Sequence, residues 1–178
     1  MATLQQRMIG AMQADVKTFQ EIEADPTAMS QAITVIVIAG VAALIGNIWR
    51  HNIMFGVMNM ILSLLSYALF AFLVVIIGTK VMPEPATKAD FAEAFRVIGF
   101  AASPGVFGVL VILPYIGPLI GMVIGIWSLV IGVIATREVL DYSNTGRAIV
   151  VCLLAGVVVF IVSVMLLTPI LLGAAFLS

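Results

Sequence analysis

The stretch that decides the fold begins at Thr87-Lys-Ala-Asp-Phe-Ala-Glu-Ala-Phe-Arg-Val-Ile98 and runs on to Glu138. At helical spacing Phe91, Ala94, Phe95 and Ile98 share one face, with Asp90, Glu93 and Arg96 turned away from it. Gly99 to Pro104 leads into two uncharged apolar segments hinged at Leu113-Pro-Tyr-Ile-Gly-Pro118, and Arg137-Glu138 forms the charged exit after Ile126-Trp-Ser-Leu129. An amphipathic helix, an apolar hairpin and a charged exit predict a surface helix near 88–98 that feeds two membrane crossings.

Composition names the solvent. Of 178 residues, 63% are hydrophobic and 10% are charged, and the mean hydropathy is +1.24. Soluble domains are about half apolar and a quarter charged, so the bilayer is the expected environment. A net charge of -1 leaves no basic footprint for nucleic acid. Cys152 is the only cysteine and His51 the only histidine, so neither a disulfide nor a metal site is expected, and no cofactor. The polar N-terminus lacks the pattern of a cleaved leader, so insertion through the first crossing is expected.

Working outward, residues 3–25 read as a polar arm of two helical pieces broken at Asp15, the second with a Thr18/Glu21 capping-box spacing ahead of Phe19 and Ile22. The arm is either an interfacial helix or docking arm for a partner, or a helix that simply covers the membrane-facing surface. Asp25-Pro26-Thr27 starts the first crossing, Gln31 to Trp49, with Asp25 as its N-cap, and Trp49-Arg50-His51-Asn52 is its interfacial end. Ile53 to Thr79 is the second crossing, on which Asn59, Ser63, Ser66 and Tyr67 form a polar stripe. Such a stripe either makes interhelical hydrogen bonds or lines a polar route. Pro83-Glu-Pro85 keeps Lys80 to Lys88 a loop, and Thr87/Asp90 gives the start signal for the helix that follows. The third crossing, about Phe100 to Ile116, carries Pro104, Gly105 and Gly108; the fourth starts at Pro118, where Gly117, Gly121 and Gly125 offer a groove for close helix approach. The fifth runs from Ala148 to Leu172 and is bent or ended near Pro169.

The expected fold is therefore all-α: a polytopic membrane protein of five transmembrane helices with N-terminal and mid-chain amphipathic helices. Residues 1–25 form the cytoplasmic or interfacial arm and 26–178 the membrane domain. Arg7, Lys17, Lys80, Lys88, Arg96, Arg137 and Arg147 fall on one side of this threading and Arg50 alone on the other. The positive-inside rule makes the side with seven cations cytoplasmic, so the N-terminus is inside and the C-terminus outside.

Between Val97 and Thr136, and throughout the other crossings as bounded by sequence, there is no Asp, Glu, Lys, Arg or His. Ion-coupled transport, proton relays and intramembrane proteolysis need such groups at depth. A non-enzymatic scaffold or adaptor that binds other membrane proteins or shapes the bilayer is the leading expectation. A small permease or channel component for a neutral or lipid-like solute is the alternative. The expected contacts are membrane lipids and other membrane proteins or a second copy, through a surface drawn from Phe19, Glu21, Asp25, Pro26, Phe91, Phe95, Arg96, Pro104, Gly117, Gly121, Gly125 and Arg137.

Several of these motifs, in this order, resemble the YIP domain family, small five-crossing membrane proteins named for binding Ypt/Rab GTPases. The carriers are Thr18-Phe-Gln-Glu-Ile-Glu-Ala-Asp-Pro26, Phe91-Ala-Glu-Ala-Phe-Arg-Val-Ile-Gly-Phe-Ala-Ala-Ser-Pro104, Leu113-Pro-Tyr-Ile-Gly117, Ile126-Trp-Ser-Leu129 and Arg137 with the turn after it. The pattern looks most like the bacterial branch, which implies a bacterial cytoplasmic membrane. The resemblance also implies five helices and a cytoplasmic N-terminus. Eukaryotic members carry an Asp-Leu-Tyr-Gly-Pro stretch tied to GTPase partners; this chain has none, so Rab-type GTPase binding is not expected.

Overall fold

Two short helices form a hairpin ahead of the apolar segments. Helix α1, Leu4–Met12, is capped by a reciprocal pair: Gln6 N–H bonds the Thr3 hydroxyl, and Thr3 N–H bonds the Gln6 side chain. The chain turns at Ala14, which adopts a φ of 56°, and Asp15 caps α2, Val16–Ala24. The Asp15 carboxylate accepts from the N–H groups of Lys17 and Thr18 and from the Thr18 hydroxyl. Asp15 thus takes the cap that the Thr18/Glu21 spacing suggested, because its carboxylate reaches both free N–H groups at once. Gly10 makes the hairpin tight: a Cβ there would lie 2.2 Å from the Thr18 hydroxyl. The computed structural model describes the backbone of residues 2–49 and 53–176, and side chains for 2–49 and 53–168. The predicted interfacial residues Arg50, His51 and Asn52 lie outside the described residues.

Five candidate membrane spans follow. Helix α3 covers Ala28–Gly46; Asp25 does not occupy its cap position but accepts from Thr27 N–H and hydroxyl just before it. Helix α4, Ile53–Ile76, continues as a π turn over Ile77–Val81. Helix α5, Phe91–Phe100, passes into a 3-10 segment, Ser103–Ile112, with Pro104 in its first turn. Helix α6 covers Gly117–Val139, and α7 runs from Thr145 to Phe176 without ending at Pro169. Among the described residues every regular element is helical.

The amphipathic helix differs most from its sequence reading. It is the first half of the third span, Phe91–Ile112, and that span is 67% buried against 11–28% for the other four. Its start also moves: Asp90, not Thr87, is the N-cap, in a capping box with Glu93. Asp90 presents its carboxylate directly to the Glu93 N–H, whereas the Thr87 hydroxyl accepts from Glu84 N–H within the loop. Every residue from Ala94 to Phe100 is buried, including Arg96, which the sequence placed on a solvated face. The apolar face was legible, but the arm closes over the polar one.

Small residues let α3 approach this central element. A Cβ on Gly99 would lie 2.9 Å from that of Ala32, and one on Gly105 2.6 Å from that of Ala39. One on Gly46 would strike the Gly108 carbonyl oxygen at 2.0 Å. Backbones this close gain dispersion and nothing needs to be desolvated, which is how helices associate in lipid. At the end carrying the charged loops, the Tyr142 hydroxyl donates to the Met82 carbonyl at 2.7 Å. The Glu84 carboxylate accepts from Ser143 N–H and hydroxyl at 3.0 Å and pairs with Arg147 at 3.1 Å. These bonds tie the loop after α4 to the turn between α6 and α7.

Candidate functional site

The polar groups converge where the α1–α2 hairpin meets the spans. Arg7 is 1% exposed. Its guanidinium donates to Gln31 Oε1 and Glu21 Oε1 at 3.0 Å and to Asp25 Oδ2. Burial works against the charge of Arg7, but Asp25 and Glu21 outweigh it and its pKa rises. Bonds from Thr27 and then Arg7 hold the Asp25 carboxyl down to about 2. One arginine therefore ties α1, the end of α2 and the first turn of α3 together.

A second arginine does the same from the core. Arg96 is 7% exposed and donates through Nη2 to the Glu23 backbone carbonyl, while its Nε is buried with no partner among the described residues. Burial, then the nearby charges of Asp141 and Glu93, push the Glu23 carboxyl up to about 7; the charge of Arg96 opposes them and that of Glu138 adds to them. A third tie is neutral. Trp127 Nε1 donates to the Met12 carbonyl at 3.0 Å, and its ring stacks on Phe107 at 5.9 Å between centroids.

The structure separates the predicted surface into several parts. Phe19, Pro104 and Gly117 are buried, and Phe95, at 7% exposed, belongs with them in the interior. Glu21 and Asp25 are spent on Arg7, and Arg96 on Glu23. Arg137 bonds the Tyr142 carbonyl and the Thr145 hydroxyl, shaping the last turn. Phe91, 43% exposed beside Phe72 and Phe95, and Pro26 remain on the outside. The expected Phe91/Phe95 face is thus a single exposed ring. Gly121 lies 3.7 Å from Val111 by its would-be Cβ, and Gly125 meets nothing within 4 Å. Between α3 and the third span the close glycine contacts are instead those of Gly46, Gly99 and Gly105, which lie on three different elements and so escape a four-residue search.

The polar stripe divides between two cavities. Asn59 and Ser63 line one of about 350 Å³ between α3 and α4, together with Asn47. Both satisfy themselves on their own helix, Asn59 on the Phe55 carbonyl and Ser63 on that of Met60. Ser66 and Tyr67 face another, about 530 Å³, whose walls include Gly125 and Ser128 of α6 and Gly156 of α7. Ser66 lies 3.3 Å from Ser163 across α4 and α7. No group of three or more His, Cys, Asp or Glu among the described residues could hold a metal ion. The site residues that sequence reasoning missed are Arg7, Gln31 and Trp127. An arginine in an otherwise weakly charged amphipathic helix, followed by Glu21 and Asp25, was their one available signal.

A family model described as the Yip1 domain matches residues 9–167, nearly the whole chain. No curated protein and no solved structure matches it.

Proposed function

The chain belongs to the Yip1 domain family of membrane proteins, and from that premise we propose that it is a non-enzymatic integral membrane scaffold or adaptor that binds other membrane proteins or shapes the bilayer. One observation carries this reading over a permease: the polar stripe is broken. Asn59 and Ser63 are spent on their own helix, Ser66 faces Ser163, and the two cavities have no lining residue in common. A continuous wet route would need polar groups to follow one another through the bundle. The ionisable clusters instead hold the arm to the spans, a structural task.

The reading places the protein in a bacterial cytoplasmic membrane, with residues 1–25 as a cytoplasmic arm and 26–178 as the membrane domain, on the count of seven cations to one. The C-terminus then lies outside. Partners are other membrane proteins or a second copy; a Rab-type GTPase is not among them. Purification in mild detergent tests this. A stoichiometric partner that is lost with Phe91→Asp, while insertion persists, supports the scaffold. If the protein is always alone and that variant behaves as wild type, the scaffold reading fails. Solute flux in liposomes that disappears with Asn59→Leu would put the permease in its place.

A further inference from the structure

The α1–α2 hairpin reaches far deeper along the bundle than a surface arm would. Its one end is level with the start of the first span, where Arg7 bonds Gln31, and Glu23 faces Glu138 and Asp141 at the end of α6. Its turn is level with Trp127, whose indole bonds the Met12 carbonyl. Trp127 stands near the centre of α6, Gly117–Val139, twelve residues from Val139, or about 18 Å along the axis. A hydrocarbon core is about 30 Å thick, so the turn lies near the midplane. Yet Gln13, Asp15 and Lys17 are exposed there. At the same level on α6, the exposed side chains are Ile126, Leu129 and Val130. One face at mid-depth is therefore apolar and its neighbour carries a carboxylate and an ammonium.

Charges do not stay at the centre of a bilayer without water, a partner or a local defect. We propose that the hairpin is a hydrophilic wedge that draws water and phospholipid headgroups down its outer face to mid-depth, thinning the leaflet it enters from. Lys17 provides the ammonium for a headgroup phosphate, and Ile9 and Val16, exposed on the same hairpin, hold its flanks in lipid. The proposal rests on the membrane-shaping part of the functional reading and deepens it; it concerns lipid alone, so the purified chain suffices and the fate of the partner reading is separate.

A bimane fluorophore on the Gln13→Cys variant, in a Cys152→Ser background, tests it in phosphatidylethanolamine and phosphatidylglycerol liposomes doped with nitroxide lipids. Headgroup nitroxide should quench this probe more than a mid-chain nitroxide does, and the order should reverse for Leu129→Cys. Added Trp127→Phe should brighten the Gln13→Cys probe, since a docked turn keeps it within quenching contact of the indole. Stronger quenching of the Gln13→Cys probe from mid-chain overturns the wedge. Quenching from neither position also overturns it, because the turn is then in bulk water or covered by a second copy. Headgroup quenching of the Leu129→Cys probe, or no brightening with Trp127→Phe, overturns the assignment of depth and the wedge with it.

Discussion

At the scale of single residues, two arginines hold the arm, and they should fail differently. Arg7→Met removes the one cation shared by Glu21, Asp25 and Gln31. Glu21 and Asp25 can turn to solvent once it is gone, so the main loss is the tie from α1 to α2 and α3. The arm should detach first, so limited proteolysis should cut between residues 13 and 25 well before the spans unfold. Trp127→Phe keeps the stack on Phe107 and loses only the bond to Met12, a cost of about 1 kcal/mol in detergent unfolding. Glu23 gives a pH signature. Its carboxyl is raised from 4.5 to about 7, so between those values the folded protein binds the proton more tightly than the unfolded chain. That group's contribution is present below pH 4.5 and is lost as pH rises through 7. Unfolding measured from pH 5 to 8 should show Glu23→Gln with a flatter profile than wild type and a relative gain at pH 8. An identical slope in both would remove Glu23 as the source.

At the scale of elements, the decisive contact is backbone against backbone. Gly46→Ala should cost roughly 2 kcal/mol, because a methyl group at 2.0 Å from the Gly108 carbonyl forces α3 away from the third span. Gly125→Ala has open space around it and should leave thermal stability unchanged or slightly higher. Helix number, the break at Asp15 and the tight turn at Leu113–Pro118 were all legible, since apolar length and breaker residues are local signals. The depth of α5 was not. A helix with Phe91, Phe95 and Ile98 on one face and Glu93 and Arg96 on another reads as interfacial when nothing covers the second face, and the cover comes from Glu23, seventy-three residues earlier than Arg96. The 3-10 segment was equally hidden, because Ser103-Pro-Gly105 permits it without requiring it.

At the scale of the whole molecule, four apolar spans surround the buried third, and the charged loops gather at one end, where Glu84, Tyr142 and Arg147 join them. The outer faces of α4, α6 and α7 are apolar, while among the described residues the buried charged side chains are Arg96 of the third span and Arg7 in the clasp beneath the arm. All of it depends on the threading of the chain. Single cysteines at Lys88, in the loop before α5, and at Tyr115, 98% exposed in the turn before α6, report it most directly when an impermeant maleimide is applied to sealed vesicles of known sidedness. The two positions should react from opposite sides, Lys88→Cys from the face that carries the arm; labelling of both from the same side would contradict the five-span architecture.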